Sequence, residues 1–415
     1  MVQSAPSPPE SVLQIRDEQG GWTASIGGEA RLAGESFHHL RFEPDPAWDT
    51  YLLQRYLLHG DLTIGESARL FAELQYSSVT GRETDPRPTD QDAPDVHQAF
   101  GEAHGESWFA RAGRQELQYG SSRLISVRNG PNVRLAFDAA RLRAEFGGWT
   151  LDAFAGRPVE IDRGAFDDQA EEDELLAGFY ATLASSDTLP GGLDLYLLAY
   201  INDEAEFAQG AGRERRGSIG SRWFGTSGGL DWNFEGVAQW GSFEDDPIRA
   251  WTLASDSGFT WSDATWKPRL GLKADFISGD ADRDHDRLGT FNALFPRGSY
   301  FGDIGIVGPA NLIDLHPSLD LHFTADVTLT ADCVFFWRAS TDDALYGPSG
   351  NIVRDDPTSE ARYIGTQPSL IASWRVDRRL TLIATAPHFA PGAFLRETGP
   401  HESIDFFRLE AIFRF

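Results

Sequence analysis

The sequence predicts an all-β chain, a transmembrane antiparallel up-and-down β-barrel of about 18 strands, on three observations. Apolar residues recur with period 2, not 3.6, in runs of roughly ten residues, the length a tilted strand needs to cross a bilayer. The connectors between runs alternate short and long. The last run ends with the chain itself, on the aromatic Phe415.

Taken in order, segments near 22–33 and 50–63 flank a long connector, 34–49. The next, 67–79, sets Ala68, Leu70, Ala72, Leu74 and Tyr76 against Arg69, Phe71, Glu73 and Gln75. Segments near 93–104 and 107–117 share a short turn at 105–106, and those near 131–145 and 148–157 share one at Gly147. Segments near 174–185, 192–202 and 214–224 follow, the last two parted by a long connector at 203–213. In 228–241, Leu230, Trp232, Phe234, Gly236, Ala238 and Trp240 alternate with Asp231, Asn233, Glu235, Val237 and Gln239. Segments near 248–262 and 265–278 come next, Leu270, Leu272, Ala274 and Phe276 facing away from Arg269, Lys273 and Asp275. After the longest loop, 279–313, lie 314–325 and 328–339, then 340–359, then 360–375 and 379–390 around a short turn. In the last segment, 402–415, Phe407, Leu409, Ala411, Phe413 and Phe415 share one face.

Short–long alternation is what a barrel gives when one rim is plain and the other carries function. An ordinary antiparallel sheet with one wet face also has period 2. It would bring Greek-key spacing or a blade repeat, and no repeat of that kind is present. One domain is expected, a barrel over 21–415 after a disordered segment, 1–20. Trp22, Trp108, Trp149, Trp223, Trp251, Trp261, Trp266 and Trp374 fall at segment ends, as interfacial aromatic belts require.

Composition narrows the function. There are 36 basic and 63 acidic residues, a net charge of −27, which disfavours nucleic-acid binding. One cysteine, Cys333, excludes a disulfide framework and a zinc cluster. The start, Ser/Pro-rich without an apolar core, is no intact signal peptide. The expectation is a Gram-negative outer-membrane protein, likewise monomeric, whose signal peptide has been removed and does not form part of this chain.

In a membrane barrel the apolar face meets lipid and the polar face lines the lumen. Alternation then places Arg31, Arg55, Arg69, Arg111, Arg134, Arg222, Arg269, Lys273, Arg338 and Arg408 inside, with Glu29, Asp61, Glu73, Asp138, Asp152, Asp231, Glu235, Asp275, Asp332 and Glu410. Nearly all the positive charge is arginine, whose planar fork matches carboxylates. A guanidinium ring at one height would concentrate anions; wall-bracing ion pairs are the alternative. Arginine is densest over 111–143, where only Glu116 and Asp138 oppose Arg111, Arg114, Arg123, Arg128, Arg134, Arg141 and Arg143 locally. Between 158 and 174, eight acids accompany one base, Arg163. Such a loop would face lipopolysaccharide and its bridging cations, and suits a path loaded from the other side.

The loop 279–313 begins with Asp280, Asp282, Asp284 and Asp286, spaced by one residue. Alternating aspartates offer calcium ligands, but the glycine and distant glutamate of an EF-hand are missing, and a solvated acidic loop is the alternative. Its remainder, Phe291, Leu294, Phe295, Tyr300, Phe301, Ile304 and Ile306, is apolar enough to pack inward and narrow the mouth, or to dock on the rim. No other cofactor is expected. Ser121, Ser122, His97 and His104 lack a nucleophile-elbow context, so no catalytic site is assigned; a barrel enzyme acting on glycans through paired lumenal carboxylates is the rival class.

The stretch GRQELQYGSSRLIS from Gly113, followed by Pro131-Asn-Val-Arg and Phe137-Asp, resembles the alginate-export family of outer-membrane porins. So does LGTFNALFPRGSYFG from Leu288. The terminal Phe415 resembles the ends of outer-membrane barrels, which the assembly machinery reads. The resemblance implies an 18-stranded barrel with an arginine-rich, anion-selective constriction passing alginate-like polyuronate, with Arg111, Arg114 and Arg134 lining the pore. Alternation alone adds Arg55, Arg269, Lys273 and Arg338. The family's exporter carries a long plug-forming periplasmic turn before its last strands; here that turn, 376–379, is short, which leaves a general non-specific porin as a further alternative.

Overall fold

The computed structural model describes residues 11–17, 21–186, 190–283 and 286–415. Eighteen strands build the wall: β1 (Trp22–His38), β2 (Trp48–Ile64), β3 (Ala68–Thr80), β4 (Asp92–Gly105), β5 (Trp108–Gln115), β6 (Phe137–Phe146), β7 (Trp149–Glu160), β8 (Glu174–Leu183) and β9 (Gly192–Phe207) in the first half. The second half is β10 (Gly210–Ser227), β11 (Leu230–Phe243), β12 (Asp246–Thr260), β13 (Arg269–Ile277), β14 (Leu312–His322), β15 (Val327–Arg338), β16 (Tyr363–Arg375), β17 (Leu380–Pro391) and β18 (Ile404–Arg414). Each matches one of the eighteen predicted segments. Every strand pairs antiparallel with its neighbours in sequence, and β18 returns to β1, from Glu29 opposite Arg414 to His38 opposite Asp405.

The faces are inverted, as alternation predicts. On β2 and β3, Leu52, Tyr56, Leu58, Leu70, Leu74 and Tyr76 stand exposed outward, while Leu53, Arg55, Leu57, His59, Glu73 and Gln75 are buried inward. Each outward leucine gains about 1.5–3 kcal/mol when lipid replaces water around it. Trp22, Trp108, Trp223, Trp261, Trp266 and Trp374 ring the short-turn rim, and Trp48, Trp240 and Trp251 the opposite one, all well exposed. The short-turn rim is the periplasmic side and the long loops face outward.

Two expectations need correction. Residues 11–16, assigned above to a disordered start, form a short strand, Ser11–Arg16, paired with Thr23–Gly27 on the same edge of β1 that β18 occupies higher up. An unpaired edge of β1 would otherwise remain below Phe415, and the added strand covers it. Connector alternation is also not strict. The expected long loop at 203–213 is a hairpin turning at Ala208 and Gln209, while the periplasmic turns 184–191 and 261–268 are long. β9 and β10 continue past the lipid, where their outward residues become Glu204, Glu206, Arg213 and Arg215. Pairing persists where the apolar signal has faded.

The interior is packed at its outer end. Phe42, Phe336, Phe389 and Ile404 are buried there together with Leu345 and Tyr346 of a hairpin (Leu345–Tyr346 with Ile352–Arg354) and Phe394 and Leu395 of helix α1 (Ala393–Thr398). Asp343, on the loop 339–362, accepts from the Asp280 and Ala344 amides (2.8 Å each), Thr290 Oγ1 and the Tyr346 hydroxyl (2.7 Å each). Burial pushes its carboxyl above the usual range, and those four bonds oppose the shift.

The barrel closes at a tight point. Gly28 and Phe415 exchange both backbone hydrogen bonds (2.8 and 3.0 Å). A Cβ on Gly28 would lie 2.3 Å from the Leu57 carbonyl oxygen and 2.7 Å from the Phe415 ring. Gly28→Val should therefore abolish the compact, heat-modifiable band of the folded barrel on unboiled SDS gels. Gly34→Val, with nothing within 4 Å of the new Cβ, should keep it.

Candidate functional site

Two loops leave the wall and cross the bore. The first, 116–136, starts where β5 stops. It is fastened to the β1–β3 side by Asn132, whose Nδ2 donates to the carbonyls of Gln54 (2.9 Å), Asp90 (2.9 Å) and Ser78 (3.2 Å). Arg31 and Arg55 donate to the carbonyls of Gly130, Asn129 and Pro131 (3.2–3.3 Å). Nearer its start the loop reaches the opposite wall, where Ser121 Oγ donates to Glu235 (2.7 Å). Arg123 is held by Asp275 (2.8 Å), by Glu235 (3.5 Å) and by the Tyr300 hydroxyl.

The second loop, 278–311, runs beside the first. The amides of Phe295 and Arg297 donate to the carbonyls of Leu124 and Ser122 (2.9 Å each). Phe291, Leu294, Phe295, Phe301 and Ile304 are buried, while Tyr300 and Ile306 are half-buried against them. The apolar remainder thus packs inward, because a ring-rich segment above a water-filled bore is stabilised by burying its surface on the inner wall.

The predicted cations face the lumen at several heights, most of them in ion pairs. A periplasmic belt holds Arg69 on bidentate Asp61 (2.8 Å each), Arg111 on Glu102, Arg141 and Arg143 both on Asp152 (2.6 and 2.8 Å), Arg222 on Asp194 (2.7 Å) and Arg269 on bidentate Asp231 (2.6 and 2.9 Å). Part of the belt is braced by rings: Arg69 lies over Phe71 and Phe100, Arg111 over Phe100 and Phe109, Arg141 over Phe109 and Tyr119. Arg55 sits at mid-height on Glu29 (2.7 Å), and Arg134 on Glu116 (2.7 Å), which His97 also contacts (2.8 Å). Arg114 joins Asp138 (2.9 Å) to the carbonyls of Val96 (3.1 Å) and Asp168 (3.2 Å).

Arg338 lies at the outer end, wholly buried. It donates to the carbonyls of Ser359, Ala361, Thr341 and Asp343 (2.7–3.3 Å) and covers Phe394, so it anchors the loop 339–362 and does not line a path. Lys273, at mid-height, lies 5.2 Å over the Tyr300 ring, and among the described residues no carboxylate stands within 4.0 Å of its ammonium.

Sequence counting missed the partners of the 111–143 arginines. Glu102, Asp152, Glu235 and Asp275 sit on other strands, and only register brings them across. Counting also missed a cavity of about 300 Å³ at the outer mouth, lined by Glu174, Glu204, Glu206 and Glu214 with Arg128 and the second loop.

Asp280 is buried and accepts from Gln209 Nε2 (2.8 Å), the Asp282 amide (3.2 Å) and the Gly289 amide (3.3 Å). Asp284 lies outside the described residues, and Asp282 and Asp286 join no converging carboxylate group among them.

The chain matches the family model described as alginate export over residues 23–407. Solved structures share its fold. Acinetobacter baumannii OccAB1 matches at TM-score 0.67 with 10% identity, over 98% of this chain and 99% of that one. Pseudomonas aeruginosa OccD3 (OpdP) matches at 0.65 with 14% identity, over 100% and 97%. Pseudomonas aeruginosa OccK2 (OpdF), solved in complex with glucuronate, matches at 0.62 with 11% identity, over 95% and 98%. No curated protein matches.

Asn132 is the pin of the first loop. Asn132→Leu removes three hydrogen bonds and leaves their carbonyl acceptors buried, about 1–3 kcal/mol for each. Single-channel recordings should show higher conductance and open-state noise, while the barrel stays heat-modifiable.

Proposed function

This outer-membrane β-barrel channel belongs to the alginate export family, and from that premise we propose that the solute it passes is an anionic saccharide of the uronate type. The observation that carries the reading is the periplasmic belt. Over β3, β5 and β6, four guanidinium groups (Arg69, Arg111, Arg141, Arg143) are held by three carboxylates (Asp61, Glu102, Asp152). Asp152 serves two arginines, so on this side of the bore one positive charge is left over, whereas on the far side Arg269 is shared by Asp231, Asp256 and Asp320. Stacking on Phe71, Phe100, Phe109 and Tyr119 keeps the forks in place, partly exposed to the bore. A preorganised guanidinium edge replaces part of a carboxylate's hydration, weakly enough at each site to permit exit. No covalent step is required.

The charge layout has a direction. A solute entering from the periplasm meets arginine first, then Lys273 at mid-height, and leaves past Glu174 and Glu214. An anion approaching from outside meets those acids first. This favours export. The glucuronate in the OccK2 structure supports a uronate as the solute class, since the present channel shares that fold.

Reversal potentials under a salt gradient should show anion preference, and glucuronate should lower conductance more from the periplasmic side than from the outer side. The double variant Lys273→Gln/Arg143→Gln should weaken both effects severalfold. Equal permeability to both ions, with no glucuronate effect, would make the chain a general porin.

A further inference from the structure

The wall is low at β5 and β6, because the loop 116–136 leaves it there. β4 continues outward beyond β5: its pairing with β5 stops at Ala99 opposite Arg114, while β4 itself begins at Asp92. The outer edge of β4 is thus left without a strand, above the lipid. The acidic loop 161–173 folds back across this notch. The Phe166 amide donates to the Pro94 carbonyl (3.3 Å), and Arg163 donates to the Pro86 carbonyl (3.1 Å).

Four carboxylates meet under that flap. Asp95, Asp167 and Asp168 each offer one oxygen such that the three lie within 4.8 Å of one another. Two oxygens bound to one calcium ion at about 2.4 Å cannot be farther apart than about 4.8 Å, so the spacing fits one ion. Asp92 is the independent sign. It is 3% exposed, neither carboxylate oxygen has a hydrogen-bond partner, and it lines the same small cavity of about 10 Å³ with Asp95 and Asp168. That space holds a single ion or water. Asp167 Oδ1 is likewise buried without a partner.

The remaining oxygens are already used in ways that aim the free ones inward. Asp95 Oδ2 accepts from the amides of Asp167 (2.8 Å) and Asp168 (3.2 Å), Asp95 Oδ1 from the Val96 amide (2.6 Å), and Asp168 Oδ1 from the Asp162 amide (2.8 Å), which leaves Asp92 and Asp167 Oδ1 as the buried oxygens without a donor. Two guanidinium groups are at hand: Arg114 stands 4.0 Å from Asp95 and is committed to Asp138, and Arg134 lines the same cavity and is committed to Glu116 (2.7 Å). Four crowded carboxylates, two of them buried, repel one another while both guanidinium groups are committed elsewhere, and an oxygen-seeking divalent ion converts that repulsion into binding. A monovalent ion would leave most of the charge, and magnesium demands a stricter octahedron than a flap and a strand end provide.

We propose that Asp92, Asp95, Asp167 and Asp168 bind one calcium ion that latches the loop 161–173 over the outer edge of β4. Calcium titration of the full, EDTA-treated barrel in detergent, followed by calorimetry, tests this. Wild type should bind calcium, and Asp92→Asn and Asp168→Asn should each weaken that binding on the order of tenfold or more. Asp286→Asn should not. Calcium should also slow protease cleavage within 161–173 in wild type but not in Asp92→Asn. Both site variants must stay heat-modifiable, and the pair guards against one failing to fold. No calcium binding at millimolar concentration overturns the proposal. So does binding that survives both site variants, or that is lost with Asp286→Asn.

Discussion

Everything in this fold depends on backbone hydrogen bonds that lipid cannot replace. In hydrocarbon each unpaired amide or carbonyl costs several kcal/mol, so the sheet must close. The seam between β1 and β18 meets that demand, and it fixes the places of Phe415 and of Ser11–Arg16. Gly28 admits the Phe415 ring, and Ser11–Arg16 takes over the edge of β1 just below it. Once the wall is closed, an inner surface exists whose polar residues cannot reach lipid. The lumenal charge network follows from that closure.

That network shows why arginine dominates. Inside a narrow bore a cation must be held by several partners at once or remain desolvated. Guanidinium can hold a carboxylate with two edges, cap carbonyls and lie on a ring, and Arg114, Arg338 and Arg111 respectively do so. An ammonium does less of this, and Lys273, the lysine in the bore, has no carboxylate within 4.0 Å of its ammonium among the described residues. Rigidity and availability are divided between the two residue types. The belt arginines shape the passage, and the lysine is free to meet what passes.

The sequence made the wall legible and left its interior largely hidden. Period 2 is local, so eighteen segments and the inward set could be read one strand at a time. The partners of those inward residues could not. Arg123 meets Asp275 across more than a hundred residues, and Asp92 shares its pocket with Asp168 only because a loop folds back over a notch. Strand ends were misread for a related reason. β9 and β10 keep pairing beyond the lipid, where outward positions are charged and alternation by hydropathy stops reporting backbone geometry. The inward course of the long loop was legible, since its own rings demanded cover.

Unequal strand lengths give the outer rim a slope. β10 has 18 residues, a height of roughly 45 Å at ~3.3 Å per residue and ~40° tilt, whereas β5 has 8 residues, about 20 Å. The tall side ends in the tip at Ala208 and Gln209, where the Ala208 amide donates to the Tyr346 hydroxyl (3.0 Å) and Gln209 Nε2 to Asp280 (2.8 Å). The tallest part of the wall therefore stands over the outer cavity, and the two loops that fill the mouth brace it.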